Sequence, residues 1–458
     1  MTKRGIAVAA VLVLAILGLA VILLYSTRVE MPNIVIILVD ALRVDHLGCY
    51  GYNRDTSPNL DRFARDAIRF EGTVSTCSWT SPSIASLFTS LYVSSHGLMT
   101  HSQQRTDILA PDFETLAEVL KKRGYTTAAF VANRWIRKEF NYHQGFDLFK
   151  QVGTDMARPG AAAVRESVME WFEPNPPPPF FLYIHFMDVH GPYIPPYPFN
   201  TMFTSKPGRK LTADEYGRLR YLRFEGQWDL NFYINQYDGE IRYCDYHIGK
   251  ILDHLQESGL YDDSIIIITA DHGEAFFEHG ACDHGFTLYN EETMVPLLMR
   301  FPSSMACTAD MSIPPQLVDI GATILSLINA RFPYEVDGLC LVASPRRGND
   351  QRTRQRIFSE EHMKGIPKVA MIEGHMKYIY HLPEERIVEA YDLQGDEGEC
   401  TNLVMADRPD GVLNRKGDEI RAWLSRKSGV RKGIARTQNQ AEIDPRTLEQ
   451  LKSLGYIE

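Results

Sequence analysis

Asn33-Ile34-Val35-Ile36-Ile37-Leu38-Val39-Asp40 is an unbroken apolar run that ends on a carboxylate. A run of this length without alternation predicts a strand buried on both faces, as in a parallel sheet. Two more runs read the same way: Phe180-Phe181-Leu182-Tyr183-Ile184-His185-Phe186, and Ser264-Ile265-Ile266-Ile267-Ile268-Thr269-Ala270, which leads into Asp271. Residues 126–131 give a weaker fourth. Between them, residues 113–122 and 238–255 carry apolar positions at helical spacing. Strands alternating with helices predict an α/β fold with a mostly parallel central sheet flanked by helices. Ligands of such sheets bind beyond the carboxyl ends of the strands, where Asp40, the stretch after Phe186, and Asp271 would meet.

After about residue 333 the texture changes. Residues 369–372, 377–381 and 389–393 are short runs between turn residues and predict a small C-terminal antiparallel α+β subdomain. Residues 410–423 and 446–454 read as helical, and the charged stretch 346–356 as a solvated loop. The expected organisation is a membrane anchor with a short cytoplasmic end at 1–25, a linker at 26–32, a catalytic domain at 33–335 and a C-terminal subdomain at 336–458.

The anchor rests on residues 6–24, an apolar stretch without charge. As a helix it spans about 28 Å, close to a bilayer core. Lys3 and Arg4 precede it, so the catalytic domain is expected outside the cytoplasm. A cleaved signal peptide is the rival reading, but the run is long for one and residues 25–28 are not a cleavage site.

The chain has 458 residues, and Lys+Arg 48 against Asp+Glu 58 leave a net charge of −10. With 44% hydrophobic and 23% charged residues it is neither disordered nor a polytopic membrane protein. Without a basic block it is a poor partner for nucleic acid. Seven cysteines, an odd count without a C-x-x-C pair, read as free thiols rather than a disulfide framework.

Three segments carry the chemistry: Asp40 at one strand end, Asp271-His272 at another, and Trp79-Thr80-Ser81-Pro82-Ser83. Carboxylates plus an imidazole form a divalent-metal site. Thr-Ser-Pro has the signature of a helix start, with Thr80 or Ser81 as cap. A hydroxyl there, beside a metal and a helix N-terminus, can attack an ester of an oxyacid. Taken singly, each motif is an ordinary turn or cap; the joint placement points to a site.

Together with residues 45–51, Thr56-Ser57-Pro58-Asn59-Leu60-Asp61, residues 80–87, residues 185–193, Asp271-His272-Gly273-Glu274, Glu278-His279-Gly280 and Tyr391-Asp392-Leu393, these segments resemble the sulfatase family of the alkaline-phosphatase superfamily. The resemblance implies that Asp40, Asp271 and His272 bind the metal, with the nucleophile Thr80 at its side and itself metal-bound. It implies that His190, His279 and His284 face the substrate, with His190 and His284 able to protonate the leaving oxygen. The departures are as informative. The residue that sulfatases convert to formylglycine is Thr80 here, so no formylglycine is expected. The motif Arg is Ile84, the second Asp of the usual pair is Ala41, the usual Asn is His272, and Ala132-Asn133-Arg134-Trp135 replaces Lys-Trp-His. Asn133 remains as a hydrogen-bond donor to an oxyanion.

With fewer oxygens and an imidazole, the single expected ion shifts from calcium towards zinc or manganese. Asp188 with His190 or His284 is the weaker candidate for a second metal site. The expected function is metal-dependent hydrolysis of sulfate or phosphate esters on a small molecule, glycan or lipid, phosphate favoured. A transferase moving a phospho-linked headgroup onto a lipid or glycan shares these residues, and a non-catalytic surface binding protein is the third reading.

Overall fold

The computed structural model describes residues 31–99, 105–153, 160–345, 352–362, 364–405, 411–434, 440–445 and 447–449. The expected anchor at 6–24 lies outside them, as does most of the expected helix at 446–454. Among the described residues no helix is long and apolar enough to cross a membrane.

The main sheet has seven strands. In chain order they are β1 (Asn33–Val39), β2 (Ile68–Phe70), β3 (Thr126–Val131), β4 (Leu148–Gln151), β5 (Phe180–Phe186), β6 (Ser264–Ala270) and β7 (Leu297–Arg300). Their order across the sheet is β2-β7-β6-β1-β5-β3-β4. β1 runs parallel to both β5 and β6, and β3 parallel to β5 and β4. Only β7 is reversed, pairing antiparallel with β6 and β2. The three apolar runs are the three central strands, and every residue of each is buried. Burial on both faces is what removes the alternation.

Helices cover the sheet: α1 (Thr80–Thr89), α2 (Leu116–Lys122), α3 (Ala161–Phe172), α4 (Leu230–Glu257) and α5 (Asp319–Leu327). α2 starts later than its apolar spacing suggests, because Thr115 and Glu118 form a capping box there. α4 extends eight residues further back than expected, to the cap offered by Asp229.

The second sheet is antiparallel, in the order β8 (Arg356–Glu361), β9 (Lys368–Glu373), β10 (Met376–His381) and β11 (Arg386–Asp392). α6 (Val412–Ile434) packs on it through Ile420 and Trp423. The Trp423 ring stacks on Phe358 at 4.0 Å. Tyr92 and Val318 from the first part of the chain enter the same apolar cluster. Residues 33–458 accordingly form one compact unit, and the expected boundary at 335/336 marks a change of sheet inside it. The sequence reading passed over β8 in this sheet and β2, β4 and β7 in the first.

Candidate metal-dependent active site

The sheet register sets the site. Val39 lies opposite Phe186 on one side and Ala270 on the other, so Asp40 and Asp271 leave adjacent strands at the same level. His185 stands one residue before the end of β5, opposite Leu38 and Val131. All three side chains are fully buried.

Asp40 is held by one oxygen only. Its Oδ2 accepts from Asn133 Nδ2 at 2.5 Å and from His185 Nε2 at 3.1 Å. His185 in turn faces the Tyr183 hydroxyl through Nδ1 at 3.0 Å. Asp40 Oδ1 has no hydrogen-bond partner and lies 3.7 Å from His272 Nε2. Asp271 repeats the pattern. Its Oδ1 accepts from the backbone N–H of Ala41 at 3.2 Å and of His272 at 3.0 Å. Its Oδ2 takes no hydrogen bond and lies 3.4 Å from His272 Nε2. His272 Nδ1 donates to the Gly273 carbonyl at 2.8 Å. A carbonyl only accepts, so the proton sits on Nδ1 and the Nε2 lone pair faces the two carboxylates. The Thr80 hydroxyl donates to that same Nε2 at 3.2 Å.

Ala41 has a left-handed backbone, φ 56°. A non-glycine residue there costs about 1–2 kcal/mol. The turn aims its N–H at Asp271 Oδ1, and its carbonyl accepts from Tyr237 at 2.7 Å. A backbone donor thus stands at the position of the second Asp.

Thr80 is the first residue of α1, and neither Thr80 nor Ser81 caps the helix: Trp79 occupies the N-cap position, and its side chain does not cap. The Ser81 hydroxyl pairs with Tyr142 at 2.8 Å. This leaves Thr80 Oγ1 for the site. Ile84 is fully buried, so α1 itself brings no cation.

Two more imidazoles close the site. The His284 ring lies 4.2 Å from His272 and 4.8 Å from His190 between centroids. His190 Nδ1 donates to the Gly191 carbonyl at 2.7 Å. His284 Nδ1 faces Glu274 Oε1 at 3.1 Å and Asp283 Oδ1 at 3.0 Å. Carboxylates behind a ring nitrogen fix the ring's orientation.

The electrostatics follow from burial and crowding. Burial pushes the Asp40 carboxyl up, but the His185 hydrogen bond, with His190 and His272 close by, outweighs it and holds it well below the usual range. Burial, then the charge of Asp40, lifts Asp271 to about 6. Burial, then His272, His190 and Lys364, pushes His284 well down.

Two expected substrate contacts are corrected. His279 has both ring nitrogens engaged, Nδ1 with Glu291 Oε1 at 2.6 Å and Nε2 with the Glu399 carbonyl at 3.2 Å. Its ring stacks on Tyr289 at 3.7 Å. It serves as a strut and offers no ring nitrogen to a substrate. Asn133 directs its amide to Asp40, and its Oδ1 accepts from Trp135 N at 2.7 Å, so it orients a carboxylate rather than a substrate oxygen. The second metal-ligand reading is also relocated. Asp188 Oδ1 accepts from Ala161 N at 2.7 Å at the start of α3, whereas the carboxylates at His284 are Glu274 and Asp283. Sequence reasoning passed over those two and His185. The signal for His185 was a lone histidine in an otherwise apolar strand.

The donor set fits a divalent ion. Oxygens of Asp40 and Asp271 and a nitrogen of His185 lie within 4.8 Å of one another. The two buried carboxylate oxygens without a hydrogen-bond partner, facing the His272 lone pair, are what a cation would satisfy. Because His185 spends Nε2 on Asp40, the set that would hold the ion is Asp40, Asp271 and His272.

The sulfatase profile matches residues 32–330, and a C-terminal profile described for N-sulphoglucosamine sulphohydrolase matches 277–423. The chain belongs to the sulfatase family. Its class of activity is that of a sulfuric or phosphoric ester hydrolase. It is 22% identical to an N-acetylglucosamine-6-O-sulfatase of Bacteroides thetaiotaomicron, over 81% of this chain and 82% of that one. It is 23% identical to an arylsulfatase of Clostridium perfringens, over 82% and 91%. The fold of this sulfatase-family protein is similar to that of a phosphonate monoester hydrolase of Agrobacterium radiobacter, with TM-score 0.69, 19% identity, and coverage of 86% and 96%.

Proposed function

We propose that this chain is a metal-dependent hydrolase of phosphate esters, with Thr80 as the nucleophile and sulfate esters as poorer substrates. The observation that carries this is the Thr80 hydroxyl at 3.2 Å from His272 Nε2, beside two buried carboxylate oxygens without partners. A non-catalytic binding protein has no use for that convergence. Asp40, Asp271 and His272 would hold the ion, zinc or manganese by the mix of oxygen and nitrogen ligands. A divalent ion bound there supplies Lewis-acid charge that lowers the pKa of a hydroxyl and offsets charge on the transferred group.

The chain's own residues do the rest. Asn133 and His185 hold Asp40, and two backbone N–H groups hold Asp271, so the ligand atoms are fixed before substrate arrives. The first turn of α1 presents Thr80 Oγ1 and a positive dipole to the anion. His190 and His284 are the groups placed to hold a proton for the leaving oxygen.

Acid quench during turnover of an aryl phosphate, followed by peptide mass spectrometry, tests the reading. The expected result is a phosphoryl group on Thr80. Turnover by a Thr80→Ala variant at the wild-type rate would overturn it. We also read residues from about 26 onward as extracytoplasmic, on the strength of Lys3, Arg4 and the apolar run 6–24; protease added to spheroplasts should digest the catalytic domain.

A further inference from the structure

α1 carries no arginine at position 84, yet the structure brings a cation to the site from the second sheet. Lys364 follows β8. Its backbone N–H donates to Glu361 Oε1 at 3.0 Å, and Glu361 Oε2 accepts from the Ser78 hydroxyl at 3.0 Å. The turn after β8 is thereby tied to the chain two residues before Thr80. The Lys364 stem then crosses Gly285 beside Trp79. A Cβ on Gly285 would stand 3.3 Å from Lys364 Cδ and 3.4 Å from Trp79 Cδ1. Gly285 leaves room for the lysine to pass.

The ammonium ends against the backbone of the His284 loop. Nζ donates to the His284 carbonyl at 3.3 Å, lies 3.9 Å from Asp283 Oδ2 and sits 4.9 Å over the Phe286 ring. Asp283 Oδ1 already accepts from the Tyr221 hydroxyl at 2.9 Å. Tyr221 in turn faces the His190 ring, 6.3 Å between centroids. The lysine side chain keeps 16% of its surface exposed. An ammonium has three donors, and one is spent on the carbonyl. Arg218, ion-paired with Asp214 at 2.8 Å, touches the same loop: it donates to the Gly280 carbonyl and lies 5.6 Å over Phe277.

We propose that Lys364 is a specificity-determining residue that binds an anionic group on the alcohol part of the substrate. The placement selects the alcohol part over the transferred group. Lys364 Nζ binds the His284 carbonyl, and the His284 ring lies 4.2 Å from the His272 ring that Thr80 faces. With His284 read as the group that serves the leaving oxygen, Lys364 belongs to the leaving-oxygen side. The ligand class is a carboxylate, sulfate or phosphate borne by the alcohol. The inference rests on the reading of Thr80 as nucleophile.

The test compares phenyl phosphate with 4-carboxyphenyl phosphate for the wild type, Lys364→Met and Lys364→Arg, with zinc or manganese supplied. The intrinsic leaving-group difference cancels in each variant-to-wild-type ratio. A charge-assisted hydrogen bond predicts that Lys364→Met lowers kcat/KM on the carboxylated ester about tenfold more than on the plain one. Lys364→Arg should restore most of that difference, which a merely structural loss would not. Equal falls on the two esters, or no fall on either, would overturn the proposal. Thr80→Ala is run alongside: if it turned over both esters at the wild-type rate, the nucleophile reading would fail whatever Lys364 does.

Discussion

Thr80 Oγ1 lies 3.2 Å from His272 Nε2. This pair joins the start of α1 to the carboxyl end of β6 and places a hydroxyl against a ring nitrogen that two carboxylate oxygens without hydrogen-bond partners also face. Replacing Thr80 by Ala should therefore leave bound metal and melting temperature nearly unchanged while kcat falls by about three orders of magnitude or more, as loss of a nucleophile does. Thr80→Ser should retain a measurable fraction. Steady-state kinetics and metal analysis on the same preparations check both.

The metal should follow His272. His272→Ala removes the one ligand atom that faces both Asp40 Oδ1 and Asp271 Oδ2. Elemental analysis of the purified variant is expected to show loss of most bound ion. Asn133→Ala should be milder. It removes a donor to Asp40 Oδ2 but no ligand, so metal affinity should fall about 10–100-fold, read by competition with a chelator. Unchanged affinity in that variant would remove Asn133 from the site.

Much of this centre could be read from the sequence, because parallel strands write their burial as continuous apolar runs and end at the same level. β1, β5 and β6 coincide with their runs, and Asp40, Asp271, His272 and Thr80 converge as expected. Apart from His185, what escaped the site had no local signature. β8 reads Arg356-Ile357-Phe358-Ser359-Glu360-Glu361. Its two glutamates are buried because Ser94, Ser78 and the Lys364 N–H bind them from elsewhere in the chain. His279 looked like a substrate group because of its motif, while the atoms that engage it come from Glu291 and Glu399. Glu274 and Asp283 became meaningful only once the loop folded both onto one ring nitrogen of His284.

His96 gives the apo protein an acid-sensitive point away from the metal. It is buried, with Nε2 at 3.1 Å from the Ser86 hydroxyl and Nδ1 accepting from Leu98 N at 3.2 Å. Burial pushes its pKa from 6.5 down to about 3. The folded state therefore keeps it neutral where the unfolded chain takes up a proton. Its contribution to stability is present above pH 6.5 and lost as the pH falls towards 3. Urea unfolding of chelator-treated protein should show stability falling through that window, and less steeply for His96→Gln. Equal slopes for the two would exclude His96 as the source.

Lys377 and Glu399 form an ion pair of 2.7 Å with 1% and 0% of their side chains exposed. Removing one partner of such a pair strands the other charge, at a cost of about 3–5 kcal/mol. Lys377→Met should lower the denaturation midpoint sharply, and the double change Lys377→Met with Glu399→Gln should recover part of it. A double-mutant cycle read by urea unfolding measures the coupling; additive losses would show that the two charges act independently.

Phosphate esters should be turned over better than sulfate esters, despite the family to which the chain belongs. The reason lies in the second step. A sulfated formylglycine hydrate expels sulfate through its remaining hydroxyl. Thr80 has no geminal hydroxyl, so a sulfated Thr80 needs water to attack sulfur, whereas a phosphorylated Thr80 is released by attack of water on phosphorus with the Thr80 oxygen as leaving group. Charge points the same way. Ile84 is buried where the family motif has Arg, and Asn133 is turned to Asp40. The pocket at the transferred group thus has little fixed positive charge for a dianion, and a diester with one negative charge should suit it better than a monoester. The measurement is kcat/KM on matched aryl phosphate monoester, phosphodiester and sulfate, with zinc, manganese and calcium in turn. The expected order is diester, then monoester, then sulfate. If the sulfate gives the highest value with any of the three ions, Thr80 must be regenerated by a route that needs no geminal hydroxyl, and the preference for phosphorus fails.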